Sequence, residues 1–256
     1  NFEGTADMGK PRGPRTIDSE RLKVSGLDEP VEVRRHPTAR RMTLRVSRTK
    51  RAVIVTLPMT CDLKHAGDFL RSNLDWVRER LTSVPDPVPF ADGGLIPLRG
   101  VPHLIRFTGP GRGAPVRVVK RPHGLHNELH VRGNYEHAPR RLRDWLISEA
   151  KKDLTERSRY HSYRLQLKVG RITVRDQTSR WGSCSSTGNL SYSWRLILAP
   201  TAILDYVAAH EVAHLREMNH GPRFWALVRK TFPDLDEAKQ WLQVYGLDLH
   251  RYGSDF

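Results

Sequence analysis

The stretch HEVAHLREMNH, residues 210–220, determines how the rest of the sequence is interpreted. On an α-helix, His210 and His214 are four positions apart, so both imidazole rings leave the same face and can reach one ion. Glu211 lies beside them, about 100° around the helix. Imidazole ligands with one coordination position left open are typical of catalytic zinc sites. The pattern therefore predicts zinc at His210 and His214, with His220 as a candidate third ligand and Glu211 as the general base.

The residues around this stretch predict the helix that carries it. Its apolar stripe consists of Leu204, Ala208, Val212 and Leu215. Thr201 follows Pro200 and is a candidate N-cap, and Asn219 can adopt the left-handed conformation that ends a helix. Pro222 is favoured at the first position of a new helix, which is expected to pack beneath the site.

Two further blocks precede the helix, SRWGSCS at residues 179–185 and NLSYSWRLILAP at residues 189–200. Together with HEVAHLREMNHGPRFW at residues 210–225, they resemble the YgjP-like zinc metallopeptidases, which are related to the SprT-like and WLM proteases. The resemblance covers about residues 170–232, and the rest of the chain fits more loosely.

This resemblance implies zinc on His210, His214 and His220, with Glu211 as the catalytic residue. The three histidines have the spacing found in the metzincins. However, Glu217 stands where metzincins have a glycine after the second histidine. This difference argues against a metzincin turn.

The order of elements predicts an α+β fold with a zincin-like metallopeptidase core and an N-terminal antiparallel β-rich portion. Residues 1–20 are expected to be a disordered tail or one added during cloning, because they are rich in Gly, Pro and charge. Residues 21–135 are expected to form a basic β-rich portion with one helix, and residues 136–256 the zincin-like catalytic domain. The elements predicted by hydrophobic periodicity are strands at 31–36 and 41–57, a helix at 61–83 capped by Thr60, short strands between 95 and 132, a helix from Pro139 to about 163, and strands at 171–175 and 190–198.

The charge of the 256-residue chain is unevenly distributed. The formal net charge is +15, but residues 200–256 hold six basic and eight acidic side chains, so the first 199 residues carry +17. Such a field attracts polyanions, so nucleic acid or a nucleotide is a candidate partner, although no known nucleic-acid motif accompanies the charge. The best candidate for a polyanion contact is the basic region 31–57, although a solvated outer face explains it equally well. Its arginines are Arg34, Arg35, Arg40, Arg41, Arg45, Arg48 and Arg51.

Several classes of protein do not fit the sequence. Apolar runs are too short to cross a membrane, and no signal-peptide pattern opens the chain. The two cysteines, Cys61 and Cys184, do not form a disulfide framework and are expected to be reduced thiols. These features predict a cytoplasmic protein without a membrane partner. Cys184 is a candidate catalytic thiol, but a small buried residue in a turn is the favoured interpretation.

Some neighbours of the motif are candidate substrate contacts. Arg180 or Arg195 could stabilise an oxyanion opposite the metal, although an ordinary salt bridge explains each equally well. Trp181 and Trp194 could line the cleft, but core packing is the favoured role for both. The predicted strand Leu190–Leu198 is the candidate edge at which an extended peptide would add a strand.

Three functions remain open at this stage. The first is zinc-dependent hydrolysis of a peptide or protein, with a zinc-bound water activated by Glu211. The second is a nucleotide pyrophosphatase on the same metal, which ranks lower because neither a P-loop nor a carboxylate cluster for Mg²⁺ is present. The third is a non-enzymatic zinc-containing nucleic-acid-binding module. The sequence gives neither the substrate nor the oligomeric state.

Overall fold

The computed structural model of the chain describes residues 19–22, 24–47 and 51–253. The fold divides into two compact units, of which one ends at Val84 and the other begins at Pro85. Both combine helices with mixed sheets, which confirms the predicted α+β class. The expected N-terminal tail lies almost wholly outside the described residues. Within the described ranges, none of the helices has the length and apolar character needed to span a bilayer.

The N-terminal unit is a four-stranded sheet with two short helices. Its elements are β1 (Ser19–Leu22), β2 (Val31–Arg35), β3 (Thr43–Ser47), β4 (Ala52–Leu57), α1 (Leu63–Arg71) and α2 (Leu74–Thr82). The strand order is β1-β2-β4-β3. The β3–β4 pair is antiparallel as expected, but β2 and β4 are parallel, so the sheet is mixed rather than antiparallel throughout. Strand β1, antiparallel to β2, was not predicted, and it begins within the segment 1–20 that was expected to be a disordered tail.

The single helix predicted for residues 61–83 is wrong, because two polar side chains end α1 early. Ser72 Oγ donates a hydrogen bond to the carbonyl of Asp68, and Asn73 Nδ2 donates to the carbonyl of Phe69. Side chains that compete for backbone groups in this way favour helix ends over helix interiors. The N-cap of α1 is Asp62, whose carboxylate accepts from the backbone of Lys64, and not the predicted Thr60.

The second unit contains two sheets and the longer helices. Its first sheet has the order β5-β6-β8-β7 and is built from β5 (Leu95–Leu98), β6 (Val101–Phe107), β7 (Val116–Val119) and β8 (Asn127–Val131). The elements that follow are α3 (Ala138–Leu165), β9 (Ile172–Arg175), β10 (Gly182–Cys184), β11 (Leu190–Ser193), a 3₁₀ helix at Trp194–Leu198, α4 (Thr201–Ala213), α5 (Pro222–Thr231), α6 (Leu235–Tyr245) and a 3₁₀ helix at Gly246–Arg251.

Helix α3 is the central support of this unit. Every fourth residue on one face is fully buried, namely Ala138, Leu142, Leu146, Ala150 and Leu154. Pro139 occupies the first turn, where its missing N–H costs nothing, and Gln166 ends the helix in the left-handed conformation at φ 54°. The apolar face of α3 packs against α4, so the long helix holds the motif helix in place.

The first sheet of this unit is tied directly to the start of α4. Backbone N–H groups of Arg99 and Gly100 donate to the carbonyls of Ile197 and Leu198, at 2.7 and 3.1 Å. Gly100 has φ +77°, and a side chain there would lie 2.9 Å from Pro200. Residues 85–135 therefore belong with the motif helix, whereas the sequence placed the boundary between residues 135 and 136.

The strand order of the second sheet, β10-β11-β9, changes the predicted peptide-binding edge. The predicted strand Leu190–Leu198 ends at Ser193, where the 3₁₀ helix begins. Strand β11 pairs with β10 on one side and with β9 on the other, so both of its edges are occupied. The edge strand beside α4 is β10.

Candidate active site

Helix α4 presents the two histidines of the motif at its C-terminal end. The helix begins at Thr201 and ends at Ala213, with His214 as its C-cap in a right-handed conformation. Thr201 is therefore the first helical residue and not the N-cap, which is Pro200. Asn219 does not end the helix either, because α4 stops six residues earlier and Asn219 is not among the described residues with positive φ. The i, i+4 spacing of His210 and His214 is nevertheless preserved.

The turn after α4 brings the third histidine back to the first two. Ligand atoms of His210, His214 and His220 all lie within 4.8 Å of one another. The Nε2 atoms of His210 and His220 are 3.0 Å apart. Two nitrogens held at 2.0–2.1 Å by a tetrahedral ion are separated by about 3.3 Å, so this spacing fits a zinc-sized ion.

Backbone contacts orient two of the three rings. His214 Nδ1 lies 3.0 Å from the carbonyl of Glu217 and donates to it, which leaves Nε2 free as a ligand atom. Trp225 Nε1 donates to the carbonyl of His220 at 3.1 Å and fixes the turn that carries this ring. Nδ1 of His210 is buried and has no hydrogen-bond partner among the described residues, so protein contacts do not fix its tautomer.

An aromatic floor from α5 supports the three rings. Phe224 is fully buried and its ring lies 4.5–4.8 Å from the rings of His210, His214 and His220. Trp225 stacks on His220 at 5.8 Å. The predicted packing of the helix from Pro222 beneath the site is therefore observed.

The environment keeps the helix histidines neutral, which is the form that binds metal. Burial lowers the pKa of His210 to about 3, and the neighbouring His214 and His220 add to the decrease. Burial likewise lowers the pKa of His214, although the hydrogen bond to Glu217 opposes the change. Their ligand atoms converge on one point together with those of the exposed His220. The donor set fits a metal ion.

Glu211 is buried beside this cluster but does not belong to it. Its side chain is 6 % exposed. Burial raises the pKa of its carboxyl to about 8, and the nearby Arg180 acts in the opposite direction. A cation at the three-histidine site would favour the ionised form. The set of ligand atoms that converge within the described residues comprises the three histidines without Glu211.

The two candidate arginines have different surroundings. Arg195 is 6 % exposed, and its guanidinium binds Asp176 and the carbonyls of Leu249 and Tyr252. These contacts form a salt bridge, which was the alternative to an oxyanion contact for this residue. Arg180 is exposed in the loop before β10, and its charge acts on Glu211. Of the two arginines, Arg180 is therefore the one whose charge acts on Glu211, whereas Arg195 belongs to a buried salt-bridge network.

The tryptophans and the cysteine have mainly structural contacts. Trp194 is fully buried in the core, as expected. Trp181 packs at the edge of the same core, with its ring 5.0 Å from that of His250. Cys184 is half-buried in β10 rather than in a turn, and burial and then Glu211 raise the pKa of its thiol. A raised pKa is the opposite of what a nucleophilic thiol needs.

Gly182 is a neighbour of the site that the sequence analysis did not identify. Gly182 begins β10 and lies against the side chain of Glu211. A glycine in a sequence pattern indicates a turn, a bulge or a close approach without specifying what approaches. Its partner could not be identified before the packing of β10 against α4 was known.

Similarity to known proteins agrees with this site. The profile of the YgjP-like metallopeptidase domain matches residues 40–245, which is most of the chain and includes all four motif residues. The chain belongs to the YgjP-like family. The YgjP-like assignment makes it a metallopeptidase-type hydrolase and implies a metal ion, for which the histidine cluster supplies ligands.

The other comparisons add little to the YgjP-like assignment. No curated protein matches the chain. Among solved structures, the metallopeptidase zymogen of Pyrococcus abyssi abylysin is similar, with 20% identity over 39% of this chain and 97% of that chain, at a TM-score of 0.34. A TM-score this low supports no conclusion about the fold or function of the present chain.

Proposed function

We propose that this chain is a zinc-dependent metallopeptidase in which Glu211 acts as general base. The observation that supports the proposal best is the convergence of His210, His214 and His220 within 4.8 Å, beside a buried carboxyl that is not itself part of the ligand set. Nitrogen ligands in this number suit zinc, and three protein ligands leave a position for substrate or water. Metal identity is part of the proposal.

The residues of the chain supply the proton transfers. When bound, zinc acts as a Lewis acid on water and on the scissile carbonyl. Glu211 follows the ligand His210 in α4 and lies against β10. In the proposed mechanism it accepts a proton from water and later donates it to the leaving amine. Its burial keeps competing solvent away from the carboxylate. Arg180, whose positive charge acts on Glu211, is the proposed group that stabilises the oxyanion.

Strand β10 is the proposed docking edge for an extended peptide or protein substrate. Within the described part of the chain, β10 pairs with β11 and with no second strand. An extended peptide can therefore form main-chain hydrogen bonds with the other edge of Gly182, Ser183 and Cys184. The side chain of Glu211 lies against Gly182 of this strand. A peptide bound along β10 would therefore have a peptide bond near the proposed base.

The test combines zinc content and turnover in one protein preparation. Glu211→Gln keeps the size of the side chain and removes the base, so turnover of an unfolded protein substrate should fall by about 10²–10⁴-fold. Zinc should stay near one per chain because the three histidines are unchanged. Glu237→Gln, an exposed carboxyl on α6, is the matched control and should retain turnover.

Three results would contradict the proposal in different ways. Turnover retained in Glu211→Gln would remove the base from the mechanism. Release of phosphate from nucleoside triphosphates by the zinc-loaded protein, with no peptide cleavage, would identify a phosphohydrolase. A fourth protein ligand in a metal-bound structure would indicate a structural zinc site.

A further inference from the structure

Gly182 lies so close to the side chain of Glu211 that no residue with a Cβ atom would fit at position 182. A Cβ atom placed on Gly182 would lie 2.6 Å from both Cγ and Oε1 of Glu211 and 2.8 Å from its Cδ. These are the three nearest heavy atoms, and all belong to Glu211. Carbon atoms that are not bonded meet at about 3.5–4.0 Å, so a side chain at position 182 and the observed Glu211 side chain exclude each other.

The reason for glycine here is space and not backbone conformation. Gly182 does not have the positive φ that favours glycine at other positions in this chain. It is a strand residue, paired in register with Tyr192 of β11. An alanine would therefore be accepted by the backbone of β10 and resisted only by the side chain opposite.

Glu211 cannot relieve such a contact by moving its carboxylate alone. The closest atoms include Cγ, the second carbon of the side chain, whose position is set by the backbone of α4 and by χ1. Moving Cγ requires another χ1 rotamer, which would carry the carboxylate away from its present place. The residue is buried, so the alternatives are restricted by packing.

We propose that Gly182 is a positioning residue: the missing side chain leaves the space in which the Glu211 carboxylate is held, between edge strand β10 and the three-histidine cluster. This inference rests on the proposed function for its catalytic consequence. The contact itself is independent of that function, so a stability measurement can test it separately.

The catalytic consequence is tested with Gly182→Ala. Moving a general base by about 1 Å costs about 100-fold in rate, so kcat should fall by roughly that factor while zinc content stays unchanged. The effect should appear in kcat more than in KM, because the edge of β10 remains available for binding. Gly67→Ala is the matched control, since a Cβ there would be in ordinary contact at 3.6 Å with Arg71, and it should keep wild-type kcat.

The contact is tested by a double-mutant cycle in the metal-free protein. Gly182→Ala should lower the free energy of unfolding in the wild-type background but not in Glu211→Ala, which lacks Cγ. An equal loss in both backgrounds would overturn the proposal, as would wild-type kcat in Gly182→Ala. If Gly182→Ala does not fold alone, folding of Gly182→Ala/Glu211→Ala supports the proposal and failure of both overturns it. Absence of peptide hydrolysis by the wild type would refute the proposed function and leave this cycle measurable.

Discussion

The Nε2 atoms of His210 and His220 lie 3.0 Å apart, although His220 is outside α4 and follows a turn. Protein contacts orient two of the three histidines, His214 through the Glu217 carbonyl and His220 through Trp225. The three-histidine cluster is thus formed partly by the helix and partly by the turn. We therefore expect its ligands to contribute unequally to metal binding.

We expect zinc at about one per chain, lost in His210→Ala and in His214→Ala. Loss of a residue that only orients a ligand costs about 10–100-fold in metal affinity, so loss of a helix ligand should exceed that. His220→Ala should weaken binding less than either, because both helix ligands remain. Elemental analysis after dialysis measures the content, with the exposed His123→Ala as control. Full occupancy in His214→Ala would exclude this site.

Replacement of Arg180 should mainly lower activity, whereas replacement of Arg195 should mainly lower stability. Arg180→Ala should lower kcat by up to about 10²–10³-fold, as loss of an oxyanion donor does, with little change in stability. Arg195→Ala should lower the free energy of unfolding by about 1–3 kcal/mol, because Asp176 and the carbonyls of Leu249, His250 and Tyr252 lose a buried donor. Kinetics and urea unfolding of both variants separate the roles. Reversal of the two effects would place the oxyanion donor at Arg195.

Stability should depend on pH through Asp205 in α4. Arg157 donates two hydrogen bonds to its carboxylate at 2.6 and 2.8 Å, and the buried His161 donates one at 2.6 Å. Burial alone would raise the pKa of Asp205, but the hydrogen bonds from His161 and Arg157 lower it below the usual range. A carboxyl with a lowered native pKa stabilises the fold above its unfolded pKa of about 3.9. That stabilisation is lost as the pH falls through the native value.

Asp205→Asn should therefore cost about 2 kcal/mol at pH 7, and the difference from wild type should shrink below about pH 4. Chemical unfolding of the metal-free proteins at several pH values measures it. Asp234→Asn is a suitable control, because Asp234 is exposed at the N-cap of α6 and makes no side-chain capping bond. A difference that stays constant with pH would show that the Asp205 charge contributes nothing.

Any polyanion binding should reside before residue 200. Within the predicted basic region, Arg34 contacts Glu32, Arg35 binds backbone carbonyls and Arg51 binds Glu29. Arg48 lies outside the described residues. The exposed arginines are Arg40, Arg41 and Arg45. Replacing these three by Gln should flatten the dependence of log affinity on log salt by about 0.7–0.9 for each phosphate that the protein no longer neutralises.

Heparin and single-stranded DNA binding over a salt series measures this slope with the full chain. The charge-matched control replaces Arg216, Arg223 and Lys230, which are exposed and follow residue 200. An equal change of slope in both triple variants would indicate a diffuse field and not a contact on the N-terminal unit.

The sequence predicted best those features that depend only on residues close together in the chain. The four-residue spacing of His210 and His214 fixes two ligands on one helix face whatever surrounds them. The run of apolar residues at every fourth position predicted α3 to within about two residues at each end. The family assignment was also available from the sequence, because the motif and its flanking blocks are contiguous.

Elements that depend on neighbours distant in the chain were predicted less well. A run of apolar residues cannot distinguish a strand from the buried 3₁₀ helix that follows Ser193, and side-chain competition at Ser72 and Asn73 broke one predicted helix into two. Strand order cannot be read from a strand's own residues, so the edge strand was misplaced from β10 to β11.

The sequence by itself determined the family and the candidate metal ligands, because residue type and helical spacing are properties of neighbouring residues. Only the tertiary structure decided which groups surround that chemistry. It placed Arg195 in a structural network, Arg180 near Glu211 and Gly182 against the Glu211 side chain. These relationships depend on packing between segments that are 19 to 57 residues apart in the chain. Side-chain volume and strand register, which periodicity does not encode, set that packing.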